Sequence, residues 1–186
     1  MSPRAGIVME DIIRIAVELA DTDGLQEVTM ANLAKRLNIK PPSLYNHISG
    51  LPELLNRLTL LALEAFYSEL KQATQNLEKE KALHSLSRAY IHFARNHPGL
   101  YELTIQAPKP EHTEVVQIAN KIIELITEIM SPYNLGEENL IHAIRGFRSL
   151  LHGFASIELK GGFGMAIDMD KSFTFLVDRF LAGLKK

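Results

Sequence analysis

Apolar residues recur along this chain at intervals of three and four, and no stretch alternates apolar with polar long enough to line a strand. Between Met9 and Ala20 the stripe is Ile12, Ile13, Ala16, Leu19 and Ala20, with Glu10 and Asp11 in the first turn to complement the helix dipole and Asp23-Gly24 as the stop. After Gly50, Pro52 suits a first helical turn, and Leu51, Leu54, Leu55, Leu58, Ala62, Ala65, Phe66 and Leu70 define a long helix with no Gly or Pro linker behind it. Lys79 to Arg95 carries Leu83, Leu86, Tyr90, Phe93 and Ala94 and ends at His97-Pro98-Gly99. A shorter piece from Leu100 to Gln106 precedes the loop Ala107-Pro108-Lys109-Pro110. Glu111 to Met130 is amphipathic through Val115, Ile118, Ala119, Ile122, Ile126 and Ile129, and Ser131-Pro132 stops it. Ser172 to Leu184 closes the chain. The pattern predicts an all-α protein of about nine helices.

Two stretches depart from the one-stripe rule. Gly136 to Leu159 has an apolar side, Ile144, Phe147, Leu151, Phe154 and Ala155, and a second side of small residues, Gly146, Ser149, Gly153 and Ser156. A helix buried on two sides is central, and small residues let another helix approach closely. The other stretch is Thr29 to Leu55. Met30, Leu33, Ala34 and Leu37 make one face of a short helix with Thr29 as its N-cap, and Asn38 tolerates the left-handed turn that follows. Pro41 and Pro42 fit only a first turn; Leu44 and Ile48 then point inward, leaving Ser43, Asn46 and His47 outward with Tyr45 at the edge. Two short helices around a tight turn, the second with a polar outer face, describe a helix-turn-helix whose second helix enters a DNA major groove.

In that geometry Ser43 and Asn46 are placed for base edges and Thr29, Lys40, Tyr45 and His47 for phosphates, with Pro42 counted among the DNA-binding residues. The segment VTMANLAKRLNIKPPSLYNHISGLPELL also resembles the DNA-binding segment of the TetR family of one-component regulators, SLYNH being its most specific piece. The resemblance covers roughly residues 10 to 57. Asn38, Ile48 and Leu51 stand where the family often has Gly, an aromatic and Lys, the last a phosphate contact. IRGFRSLLHGFASIELKGGF resembles the WHG-type C-terminal domain found behind some TetR heads; its HG pair is His152-Gly153, without the Trp.

Charge supports the assignment of the head. From Val28 to Pro52 there is no Asp or Glu, while Lys35, Arg36, Lys40 and His47 are present, giving a local positive surface in a chain of net charge −2. Arg4, in the polar arm of residues 1–6, is a further candidate for phosphate or minor-groove contact. The absence of Cys excludes disulfides, zinc knuckles and thiol chemistry, and no hydrolase, P-loop, dinucleotide or zinc-protease motif is present. No signal peptide or spanning segment is visible, which predicts a cytoplasmic protein without membrane partners.

The sequence therefore predicts a DNA-binding domain, residues 1–50, and an effector-binding and dimerisation domain, residues 51–186. The resemblance implies a ligand-responsive regulator, a repressor released from its operator by a small apolar or amphipathic effector. The expected pocket lies between bundled helices, at Phe66, Tyr90, Phe93, Tyr101, Ile118, Ile122, Phe147, Leu151 and His152. One helix-turn-helix buries too little DNA for strong specificity, so a homodimer on a pseudo-palindromic double-stranded operator is expected. Its interface is placed at Gly146, Ser149, Gly153, Ser156, Phe175, Leu176 and Phe180. No cofactor, metal or catalytic residue is expected. The competing reading is an all-α small-molecule-binding protein or enzyme that has lost DNA binding.

Overall fold

The computed structural model describes residues 7–184, and among them the regular structure is nine α-helices with two short 3-10 turns. The helices are α1 (Met9–Asp23), α2 (Met30–Arg36), α3 (Pro41–Leu44), α4 (Leu51–Thr74), α5 (Lys79–Asn96), α6 (Pro98–Leu103), α7 (Thr113–Met130), α8 (Glu137–Leu159) and α9 (Met169–Leu184). Arg4 lies outside the described residues.

The chain forms two compact units. The first comprises residues up to Glu64 together with His97–Val116, so α6 packs with α1 although long segments separate them in sequence. Its core is built from the stripes read above: Ile12, Ala16, Leu19 and Ala20 of α1, Leu33 and Ala34 of α2, Leu44, Ile48, and Leu54 and Leu58 of α4, all buried. Leu103 of α6 packs against the same cluster. The second unit comprises Ala65–Asn96 and Gln117–Lys186. There α5 is the most deeply buried helix; Ala82, Leu83, Leu86, Ser87, Ala89, Tyr90, Ile91, Phe93 and Ala94 are covered, and α8 and α9 pack on it and on each other.

Aromatic contacts hold the second unit's layers together. Phe66 lies 5.2 Å from Tyr90 and 5.0 Å from Phe93, ring centre to ring centre. Phe147 of α8 stacks on Phe180 of α9 at 5.2 Å, and Phe154 meets Phe173 at 4.9 Å. Such pairs contribute about 0.5–1.5 kcal/mol beyond the area they bury. At the far end Arg95 holds Glu158 through two hydrogen bonds, 3.0 and 2.7 Å, and Asp170 at 2.8 Å, tying α5 to the end of α8 and the start of α9. Those hydrogen bonds, led by Glu158, push the already high pKa of Arg95 further up.

Candidate nucleic-acid interface

The first unit packs α2 against α3, the two helices of the sequence motif. Thr29 caps α2, its hydroxyl oxygen accepting the Asn32 N–H at 3.1 Å, a bond worth about 1 kcal/mol. Asn32 is held in turn by the Glu27 carbonyl and carboxylate at 2.9 and 3.0 Å. Asn38 adopts the left-handed conformation, φ 54°, and Pro41 and Pro42 open α3.

Regular α-helix in α3 ends at Leu44 rather than running on to Ile48. Tyr45, Asn46 and His47 form a turn, with the N–H groups of His47 and Ile48 donating to the Leu44 carbonyl at 2.9 and 3.0 Å. The inward anchors are nevertheless those expected, Leu44 and Ile48 both being buried. Between them Tyr45, Asn46 and His47 are exposed, as are Lys40 and Pro42, whereas Ser43 and Thr29 are half-buried.

Of the cations in the acid-free window, Arg36 is tied to Asp23 at 2.6 Å, outside the window. The surface beside α3 thus draws its charge from Lys35 and Lys40. At the corner into α4, Glu53 accepts hydrogen bonds from the Ser49 N–H at 2.8 Å and hydroxyl at 2.7 Å, and from Arg57 at 2.9 and 2.7 Å. Those donors, the Ser49 backbone foremost, hold the Glu53 carboxyl at about 2. The start of α4 is thereby fixed to Ser49, just after the turn that follows α3.

Sequence reasoning missed a second joint in this unit. Asp21, near the end of α1, accepts the Gly99 and Leu100 N–H groups at 2.9 and 3.1 Å and lies 3.1 Å from the His97 ring, so it caps α6. Contact is so close that a Cβ on Gly99 would lie under 3.0 Å from the Ala20 carbonyl. The only signal for it was the His97-Pro98-Gly99 sequence, which reads as a helix stop and is also the start of α6.

In the second unit Phe66, Tyr90, Phe93, Ile118, Phe147 and Leu151 are buried, while Ile122 and His152 are half-buried. Burial, reinforced by Arg148 and Lys160, lowers the His152 pKa and favours the neutral ring. Tyr101 is buried and belongs to the first unit. One surface cleft of the second unit lies between α4 and α5, lined by Glu69, Gln72, Ser85, Arg88 and His92. Another runs along the start of α9, lined by Asp168, Lys171, Phe175 and Asp178. Neither is lined by the expected pocket residues. On α8, Gly146 and Ser149 are exposed and Gly153 and Ser156 half-buried. Among the described residues nothing beyond its own stretch of helix lies within 4 Å of a Cβ built on Gly153, whereas one on Gly146 meets the Phe180 ring at 3.4 Å. Phe175 is exposed with Arg179 over its ring at 5.2 Å; Leu176 and Phe180 are half-buried.

Among the described residues no cluster of metal ligands occurs and no helix is long and apolar enough to cross a membrane. Residues 83–180 match the family model for the tetracyclin repressor-like C-terminal domain. Over 185 residues the chain is 36% identical to the uncharacterized HTH-type transcriptional regulator YobS of Bacillus subtilis, covering 99% of this chain and 96% of the relative. It is 30% identical to the HTH-type transcriptional regulator Rv0681 of Mycobacterium tuberculosis, covering 98% and 84%. Among solved structures, a variant of TetR from Acinetobacter baumannii AYE in complex with minocycline has the same fold, with a TM-score of 0.67 at 18% identity and coverage of 95% and 96%.

Proposed function

Since this chain belongs to the TetR family of helix-turn-helix transcriptional regulators, we propose that it is a cytoplasmic repressor that leaves its operator when an apolar or amphipathic effector binds. The observation that carries the DNA-binding part is the exposed turn Tyr45-Asn46-His47, held between the buried anchors Leu44 and Ile48 with Lys40 beside it. Asn46 and Ser43 read bases, Asn bonding adenine through its two amide atoms. Thr29, Lys40, Tyr45 and His47 set the register on the phosphates, and Pro42 lies among them at the start of α3. The division at residue 50 is a division of labour, DNA contact before it and effector binding and dimerisation after it.

The effector site draws on the second unit's Phe66, Tyr90, Phe93, Ile118, Ile122, Phe147, Leu151 and His152, on the expectation that bundled helices hold apolar ligands between them. An effector acts only through unequal affinity for the DNA-bound and released forms. The two copies pair through α8 and α9, Gly153 and its small neighbours allowing close approach and Phe175, Leu176 and Phe180 supplying apolar area. The open space around Gly153 and the exposure of Phe175 support that assignment.

Selection of duplexes from random-sequence DNA tests the reading. It should return a pseudo-palindrome bound by two copies, and Gly153→Arg should give a folded monomer that binds it poorly. Recovery of unrelated sequences without a shared motif would refute it.

A further inference from the structure

The turn after α3 holds one group whose charge changes readily near neutral pH. An imidazole is the side chain that ordinarily gains or loses its charge between about pH 5 and 8, and His47 is the only histidine before His84. Its backbone is fixed, the N–H donating to the Leu44 carbonyl at 2.9 Å. Its side chain is exposed and, among the described residues, makes no hydrogen bond or ion pair. The charged groups on the adjoining elements are cations or are committed elsewhere. On α2, which packs against α3, Lys35 is exposed and Arg36 is tied to Asp23 at 2.6 Å. Lys40, before α3, and Tyr45, within the turn, are exposed. On α4, Glu53 is taken by Ser49 and by Arg57. No acid lies between Val28 and Pro52, so the protein provides no uncommitted carboxylate in this stretch to pair with a charged ring at position 47.

We propose that DNA binding by this chain takes up protons at His47, so that the head holds a duplex more tightly as pH falls. The inference rests on the reading of Tyr45-Asn46-His47 as the turn that lies against DNA. A phosphate brought to the exposed ring supplies the anion that the surrounding stretch lacks, and an opposite charge close by favours the charged form. By linkage, whatever binding does to the proton the proton does to binding, so the two strengthen each other. The complex therefore holds more protons than its free partners. The effect is large because the surface has little permanent charge to begin with: Lys35 and Lys40 carry the positive charge beside α3, and a protonated His47 adds a third cation to those two. Phosphate contacts carry no sequence information, so the coupling acts alike on any duplex and leaves base reading by Asn46 untouched.

Fluorescence anisotropy with a duplex selected from random-sequence DNA, run from about pH 6 to 8.5 at fixed salt, reads the coupling. A complex of two copies that takes up about a half to one proton in all gains about three- to tenfold in affinity for each pH unit lost. The salt slope should also steepen by up to about 0.9 per copy from the alkaline to the acid end, because each charged ring neutralises one more phosphate. Both changes should appear with a shuffled duplex and with Asn46→Ala. His47→Gln should remove them, and His47→Lys, charged throughout, should bind without a pH slope. Position 47 is exposed, so circular dichroism should show both variants folded like the parent. Selective binding whose affinity does not change with pH overturns the proposal, as does a pH slope that survives in His47→Gln. Failure to recover any preferred duplex removes instead the reading of the turn on which it rests.

Discussion

Replacing Gly99 by Ala tests the joint between α1 and α6. The added methyl would sit under 3.0 Å from the Ala20 carbonyl oxygen, an atom of helix backbone that cannot swing aside. Helix α6 must withdraw by about 1 Å to restore van der Waals distance. The same movement lengthens the hydrogen bonds from Gly99 and Leu100 to Asp21, now 2.9 and 3.1 Å. Overpacking costs about 1–3 kcal/mol, and bonds to a charged acceptor contribute about 1.5–3 kcal/mol each, of which relaxation recovers a part. We expect a loss of about 3 kcal/mol, or about 6–12 °C in Tm for a chain of this length. Urea denaturation followed by circular dichroism reads it directly. Asp21→Ala should cost about 1–2 kcal/mol, and the double variant should be little worse than Gly99→Ala, because both changes break the same bonds. A Gly99→Ala loss below about 1 kcal/mol, or strict additivity with Asp21→Ala, would refute the close docking of α6 on α1.

Glu53 is held at about 2 against an ordinary 4.5, so the stability it contributes is complete above pH 4.5 and lost as pH falls towards 2. Glu53→Gln should flatten that part of the acid-unfolding profile. The lowered pKa of His152 has the corresponding signature around its ordinary 6.5: the unfolded chain takes up its proton first, so stability drains away as pH falls below 6.5, and His152→Gln should remove that slope. A His152 ring titrating at or above 6.5 in NMR spectra would contradict it. Asn46→Ala should relax sequence preference at a selected operator at a cost of about 1–3 kcal/mol, while Lys40→Ala should weaken all duplexes alike and reduce the salt slope by about 1 for each bound copy. Fluorescence anisotropy with selected and shuffled duplexes at several salt concentrations separates the two.

The stripes of α1, α4, α5 and α7 were legible because a helix that buries one face must repeat its apolar residues at three and four. Thr29 and Asn38 were legible for a local reason, since a cap and a left-handed turn each need particular side chains within a few residues. Two features were not. That α3 ends at Leu44 does not follow from the spacing of Leu44 and Ile48, which a turn bonded to the Leu44 carbonyl satisfies equally well. Nor could α6 be assigned to the first unit, because Asp21 and Gly99 meet only in the folded chain and their spacing carries no period. Pocket-lining and core aromatics share the same helical spacing, so Phe66, Tyr90 and Phe93 read alike in either role.

The central claim is that an exposed three-residue turn reads DNA, and the salt dependence of operator binding tests it most directly. With a duplex selected from random DNA, affinity should fall steeply and linearly on logarithmic axes as salt rises, with two copies bound per site. At physiological salt the selected duplex should be preferred over its shuffled counterpart by at least about a thousandfold, and Asn46→Ala should erase most of that preference. Equal affinity for selected and shuffled duplexes, or a preference untouched by Asn46→Ala, would contradict the account.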